Sequence, residues 1–204
     1  MNVNVKRAQF QAKVEVMEDQ KDRIITFAMA SGCEACRIIR GFGKIRLNRL
    51  IRGAFEEITA YYEHYGGDPE EGMLPDNVPT LYIGLRNQVK ALEVPVEEFE
   101  KRLGFSPEFS AWRRQSDREK RKYRYDNLVS MEKVIRSFWY SMIMYLWHTY
   151  GWGRERLTRF YWHVQELYHE VMENYLACSA SADADMVQQM TQTIEMIEKL
   201  GVKL

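Results

Sequence analysis

Disulfide-forming cysteine, tight-turn residues and net charge are all scarce in this chain. Three Cys among 204 residues supply no disulfide framework, which predicts a reducing, intracellular, cytoplasmic setting. With 12 Gly and 5 Pro there are too few turn residues for a sandwich or barrel of many short strands. Lys+Arg and Asp+Glu both number 29, so the formal charge is zero, which excludes a histone-like polycation or a chain dominated by an acidic tail. The longest apolar-looking run, Phe138 to Trp147, includes Ser141 and falls far short of a membrane span. The first residues, MNVNVKRAQFQAKVEV, are charged and lack the apolar segment of a signal peptide. What is present is an apolar fraction of 46%, of which aromatics are a large part, and that excludes a disordered chain. The length suffices for one sizeable core or two small ones.

The prolines organise the chain. Pro69, Pro75, Pro79, Pro95 and Pro107 all lie in one central stretch, leaving long helices possible on both sides. Residues 5–40 are expected to form a long helix or a broken pair with Gly32 as the weak point. Residues 66–79 (GGDPEEGMLPDNVP) read as a loop, followed by short helices at about 80–92 and 95–103. Ser106-Pro107-Glu108 has the form of a new helix start, and a last helix is expected over 183–200, capped by Asp183 or Asp185 and stopped by Gly201. No period-2 alternation appears. The expected fold is all-α: one domain, a helical bundle of two pseudo-repeated helix-elbow-helix units (5–65 and 131–178) with a loop and helical insert (66–130) between them.

The repeat rests on a gapless match between GFGKIRLNRLIRGAFEEITAYYEHY (41–65) and GWGRERLTRFYWHVQELYHEVMENY (151–175). Glycines pair as Gly41/Gly151 and Gly43/Gly153, and Arg46/Arg156, Leu47/Leu157 and Arg49/Arg159 follow. The apolar stripe from Leu47 to Tyr65 recurs in the same register from Leu157 to Tyr175. Each elbow places a glycine where one helix ends and basic residues where the next begins: Lys44, Arg46 and Arg49, then Arg154, Arg156 and Arg159. Cations oppose the dipole at a helix N-terminus, whereas a bound anion neutralises both. The spacing resembles the helix-hairpin-helix motif of proteins that bind the DNA backbone. Departures are Phe42 and Trp152 between the glycines, and Leu47 and Leu157 at a position usually held by a small residue. The alternative is a pair of glycine-stopped corners with aromatic plugs and solvated arginines.

A second basic stretch contains Arg113, Arg114, Arg118, Lys120, Arg121, Lys122 and Arg124 against Asp117 and Glu119. Trp112, Tyr123 and Tyr125 are interleaved, so the stretch is either a stacking and phosphate-binding surface or a solvated helix face. The nucleic-acid-binding candidates are therefore Lys44, Arg46, Arg49, Arg113, Arg114, Arg118, Arg121, Lys122, Arg124, Arg154, Arg156 and Arg159. Catalytic signatures are lacking. Cys33 and Cys36 form one C-x-x-C with only Cys178 besides, and their register opposite Ile143 and Leu146 points to core positions. His163 and His169 are six apart on a helix and do not converge on a metal. No catalytic residue, metal site or cofactor is assigned.

The segment from Met142 to Tyr175, containing TYGWGRERLTRFYWHVQELY, resembles small helical proteins of Firmicutes phages and prophages that share a G-F-G-K-K-R-L-x-R-F-like signature and a Gly-hydrophobic tail, here LGVKL. GFGKIRLNRL carries the same signature. The resemblance implies a viral or mobile-element origin in a bacterial host. Two roles follow as expectations: a non-enzymatic accessory protein that binds nucleic acid, or an inhibitor of a host defence system such as an anti-CRISPR protein. An inhibitor would use acidic residues (Asp68, Glu70, Glu71, Glu93, Glu97, Glu98 and Glu100) to mimic nucleic acid. A homodimer is compatible with either role, and no membrane partner is expected.

Overall fold

Gly32, the expected weak point of the first helix, leaves that helix unbroken: α1 runs through it from Lys21–Arg40. A side chain at Gly32 would meet Met142 of a facing helix, so the glycine serves close helix packing here. In the computed structural model the described residues are 21–98, 118–176 and 180–204, with side-chain surroundings given for 23, 25–98, 133–168 and 188–204. Expected helices within 5–20 and 99–117 lie outside them, as do Cys178 and the expected cap Ser106-Pro107-Glu108.

Five more helices follow: α2 at Lys44–His64, α3 at Leu81–Ala91, α4 at Arg118–Tyr150, α5 at Arg154–Leu176 and α6 at Ala180–Lys199. A further helical segment opens at 96–98, just after Pro95. Among the described residues there is no strand, only an isolated bridge between Asp68 and Met73 within the proline-rich loop. The all-α expectation therefore holds. Two boundaries differ from the sequence expectation. Helix α4 crosses the border expected at 130/131 without a break, because no proline or glycine interrupts it. Helix α6 is already formed at Ala180, so Asp183 and Asp185 lie inside it rather than capping it. The alanines and serine ahead of them are compatible with helix and carry its start upstream.

Packing is crosswise. α1 lies against α5 and α6, while α4 lies against α2 and α3, and α1 and α4 meet each other. The central segment of α4 is buried nearly all round: Trp139, Tyr140, Met142 and Ile143 expose 1% or less. Polar atoms in this core are tied across helices. Trp139 Nε1 donates to Ala28 O at 3.0 Å, and the Tyr140 and Tyr161 hydroxyls share a hydrogen bond at 2.9 Å. Cys33 and Cys36 are fully buried in the same core. Burial pushes the Cys33 thiol up to about 12, with Glu34 adding to the effect, and pushes Cys36 well above its ordinary value.

Candidate nucleic-acid interface

At both elbows the backbone adopts the same local geometry. Gly41 and Gly151 have φ of +59° and +61°, left-handed values that end α1 and α4 and that a glycine enters without a Cβ penalty. Their amides close the last turns on Arg37 O at 2.8 Å and Trp147 O at 3.0 Å. Two residues on, Gly43 and Gly153 accept the first helical bonds of α2 and α5, from Arg46 and Leu47 and from Arg156 and Leu157. Burial also matches position by position: Phe42 and Trp152 are buried plugs, Leu47, Leu50, Leu157 and Phe160 face the core, and the basic residues between face solvent.

The plugs bring the two elbows together. Phe42 meets Trp152 edge to face with ring centroids 5.7 Å apart and packs on Tyr150 at 5.0 Å. Arg46 then lies over the Phe42 ring, 5.6 Å from its centroid. Burial raises the Tyr150 hydroxyl pKa, helped by Tyr145 and opposed by the cations of Arg49 and Arg46. The N-termini of α2 and α5 therefore open side by side at one end of the bundle, with Lys44, Arg46, Arg49, Arg154, Arg156 and Arg159 all exposed.

Electrostatically the elbows differ. Helix α2 starts at Gly43 with no side-chain cap and no acid in its first turn. Among the described residues no carboxylate pairs with Arg40, Lys44, Arg46 or Arg49, while Arg37 is bound by Glu34 at 2.6 Å and Arg52 by Glu56 at 3.3 Å. Helix α5 has Glu155 in its first turn, which holds Arg159 at 2.7 Å. Arg154 is held by Glu93 at 3.2 Å, leaving Arg156 as the cation of that elbow without a carboxylate among the described residues. No elbow arginine turns inward onto Glu56, Glu63 or Glu166; Glu56 takes Arg52 and Glu166 approaches His163.

A clasp from the C-terminal segment, absent from the sequence reading, adds to the first elbow. The Asn48 side-chain amide donates to Gly201 O at 3.4 Å, and the Lys203 amide donates to Asn48 Oδ1 at 3.0 Å. This seats exposed Lys203 beside α2 and the Gly201 turn against Lys44. The second elbow has a counterpart: Glu93, at φ +60° just after α3, is the residue that reaches Arg154. Val94 and Val202, each following one of these left-handed residues, are both buried.

Arg113 and Arg114 of the second basic stretch lie outside the described residues. Arg118, Arg121, Lys122 and Arg124 fall on the first turns of α4, so only their helical backbone is described. Among the described residues no three His, Cys, Asp or Glu side chains group as a metal site, and no helix is long and apolar enough to cross a membrane. His148, isolated in the sequence, pairs with Glu57 at 2.7 Å. No protein-family model, curated protein or solved structure matches the chain.

Proposed function

We propose that this chain is a non-enzymatic, nucleic-acid-binding accessory protein of a phage or prophage, gripping the sugar-phosphate backbone with its paired elbows. The observation that carries this reading is the contact of Phe42 with Trp152, which sets two helix N-termini and their exposed arginines side by side. Free N–H groups and cations on one surface suit phosphate oxygens. The first elbow is the main contact: its cations have no carboxylate partner among the described residues, so an incoming phosphate displaces no internal ion pair. Arg156 extends the surface, and Arg154 and Arg159 contribute less because Glu93 and Glu155 already hold them.

The reading as an inhibitor that mimics nucleic acid has less support. Of its acids, Glu93 is held by Arg154, and Glu97 by Lys90 at 2.6 Å. Fluorescence anisotropy of a labelled duplex with the purified protein tests the binding reading. Affinity should fall steeply between about 50 and 200 mM salt and should vary little with base sequence. An absence of binding even at the lower salt removes this function and leaves the arginines as solvated charges.

A further inference from the structure

Away from the elbows, α1, α2, α3 and the middle of α4 leave a groove with a volume of about 400 Å³. Its walls are apolar: Phe55 and Val134 line it while half exposed, and Phe138 packs against Phe55 with ring centroids 5.2 Å apart. Among the described lining residues there is one cation and no carboxylate. That cation is Lys133, exposed and with no carboxylate partner among the described residues. Thr80 also lines the groove, and its hydroxyl makes no capping bond to α3.

We infer that this groove binds a single-chain carboxylate amphiphile of the fatty-acid type. The apolar tail lies along Phe55, Val134 and Phe138, and the carboxylate meets Lys133 with the Thr80 hydroxyl as a second donor. Volume and chemistry both favour this occupant. About 400 Å³ falls within the range of small-molecule sites, which are apolar with a few placed polar groups. A partner helix or a second protein needs a contact on the order of 1,000 Å² to be stable. Lys133, the one charged side chain among the described lining residues, selects an anionic head over a neutral or cationic one. Nothing in the inference depends on nucleic-acid binding, because no elbow residue lines the groove.

Isothermal titration of the full chain with dodecanoate and dodecyltrimethylammonium below their micelle concentrations, and with dodecanol below its solubility limit, tests it. Dodecanoate should bind saturably at one site, about fivefold tighter than dodecanol, with the ammonium amphiphile weakest. Lys133→Gln should bring dodecanoate down to the level of dodecanol and leave dodecanol unchanged. Val134→Trp, a change at a half-exposed helical position, should fill the groove and abolish binding of both. Circular dichroism checks that each variant keeps its helices, and the Lys133→Gln comparison decides the matter should Val134→Trp fail to fold. Absence of saturable binding, equal affinity for all three amphiphiles, or an indifferent Lys133→Gln overturns the proposal. So does self-association through this face that dodecanoate fails to disperse.

Discussion

Phe42 and Trp152 occupy the same position in two elbows and touch each other edge to face across the end of the bundle. Each is almost fully buried, at 3% and 2% exposure, so each plugs its own corner and braces the other. Truncating either to Ala should cost about 3–5 kcal/mol in urea unfolding, as for other large core aromatics. A double-mutant cycle should return a coupling of about 0.5–1.5 kcal/mol, and strict additivity would show that the ring contact contributes nothing of its own.

Gly41 and Gly151 sit at positive φ with no atom within 4 Å of an added Cβ, so conformation alone decides what a substitution costs. Gly41→Ala and Gly151→Ala should each destabilise by about 1–2 kcal/mol. The Asn variants should cost less, since Asn tolerates the left-handed region. Thermal unfolding of the four variants checks this, and equal losses for Ala and Asn would point to a steric cause instead.

Stability should fall as pH rises above about 9. The ordinary thiol value is 9.0, and burial raises Cys33 to about 12 and Cys36 well above 9.0. Between those limits the unfolded chain loses thiol protons that the folded chain keeps, so the unfolded state binds fewer protons and the slope of stability with pH is negative. The contribution is about 1.4 kcal/mol per pH unit for each thiol. Tyr61 and Tyr150, both raised by burial from 10.0, steepen the fall at higher pH. Urea midpoints measured at pH 8, 9 and 10 (~1 unit apart) test this, and a Cys33→Ala/Cys36→Ala chain should show a shallower decline.

Asn48 should be the hinge pin of the C-terminal segment. Asn48→Ala removes both of its bonds to Gly201 and Lys203, a loss of about 1 kcal/mol for each well-made bond. Amide exchange at Lys203 should accelerate strongly while the α4 core stays protected. Unchanged exchange at Lys203 would show that buried Val202 alone holds the segment down.

What could be read beforehand follows the range of the interactions. The elbows and the buried stretch of α4 were legible because a glycine stop, a helical apolar period and an all-round apolar run are local patterns. The register of Cys33 and Cys36 opposite Ile143 and Leu146 predicts core positions, and both are buried there. The contacts that distinguish the two elbows were not legible. Arg154 meets Glu93, His148 meets Glu57 and Asn48 meets Lys203 across distant parts of the chain, and no local spacing announces them. The likeness between Leu92-Glu93-Val94 and Leu200-Gly201-Val202 was also hidden. Both are a helix end with a left-handed residue before a buried valine, but α3 has 11 residues and α6 has 20, so a gapless comparison does not align them. If the halves are structural copies, residues 24–65 should superpose on 134–175 in a crystal structure; different helix crossings at Gly41 and Gly151 would limit the likeness to the elbows.

The salt dependence of duplex binding by single elbow variants bears most directly on the proposed function. Log affinity against log salt should be linear, and Arg46→Gln, Arg49→Gln and Arg156→Gln should each reduce the slope by about 0.9. Arg159→Gln should reduce it less, because Glu155 already engages that guanidinium. All four proteins should keep their helicity and lose little stability, the residues being exposed. Slopes that stay at the wild-type value in the Arg46, Arg49 and Arg156 variants would contradict backbone binding by the elbows and return them to a purely architectural role.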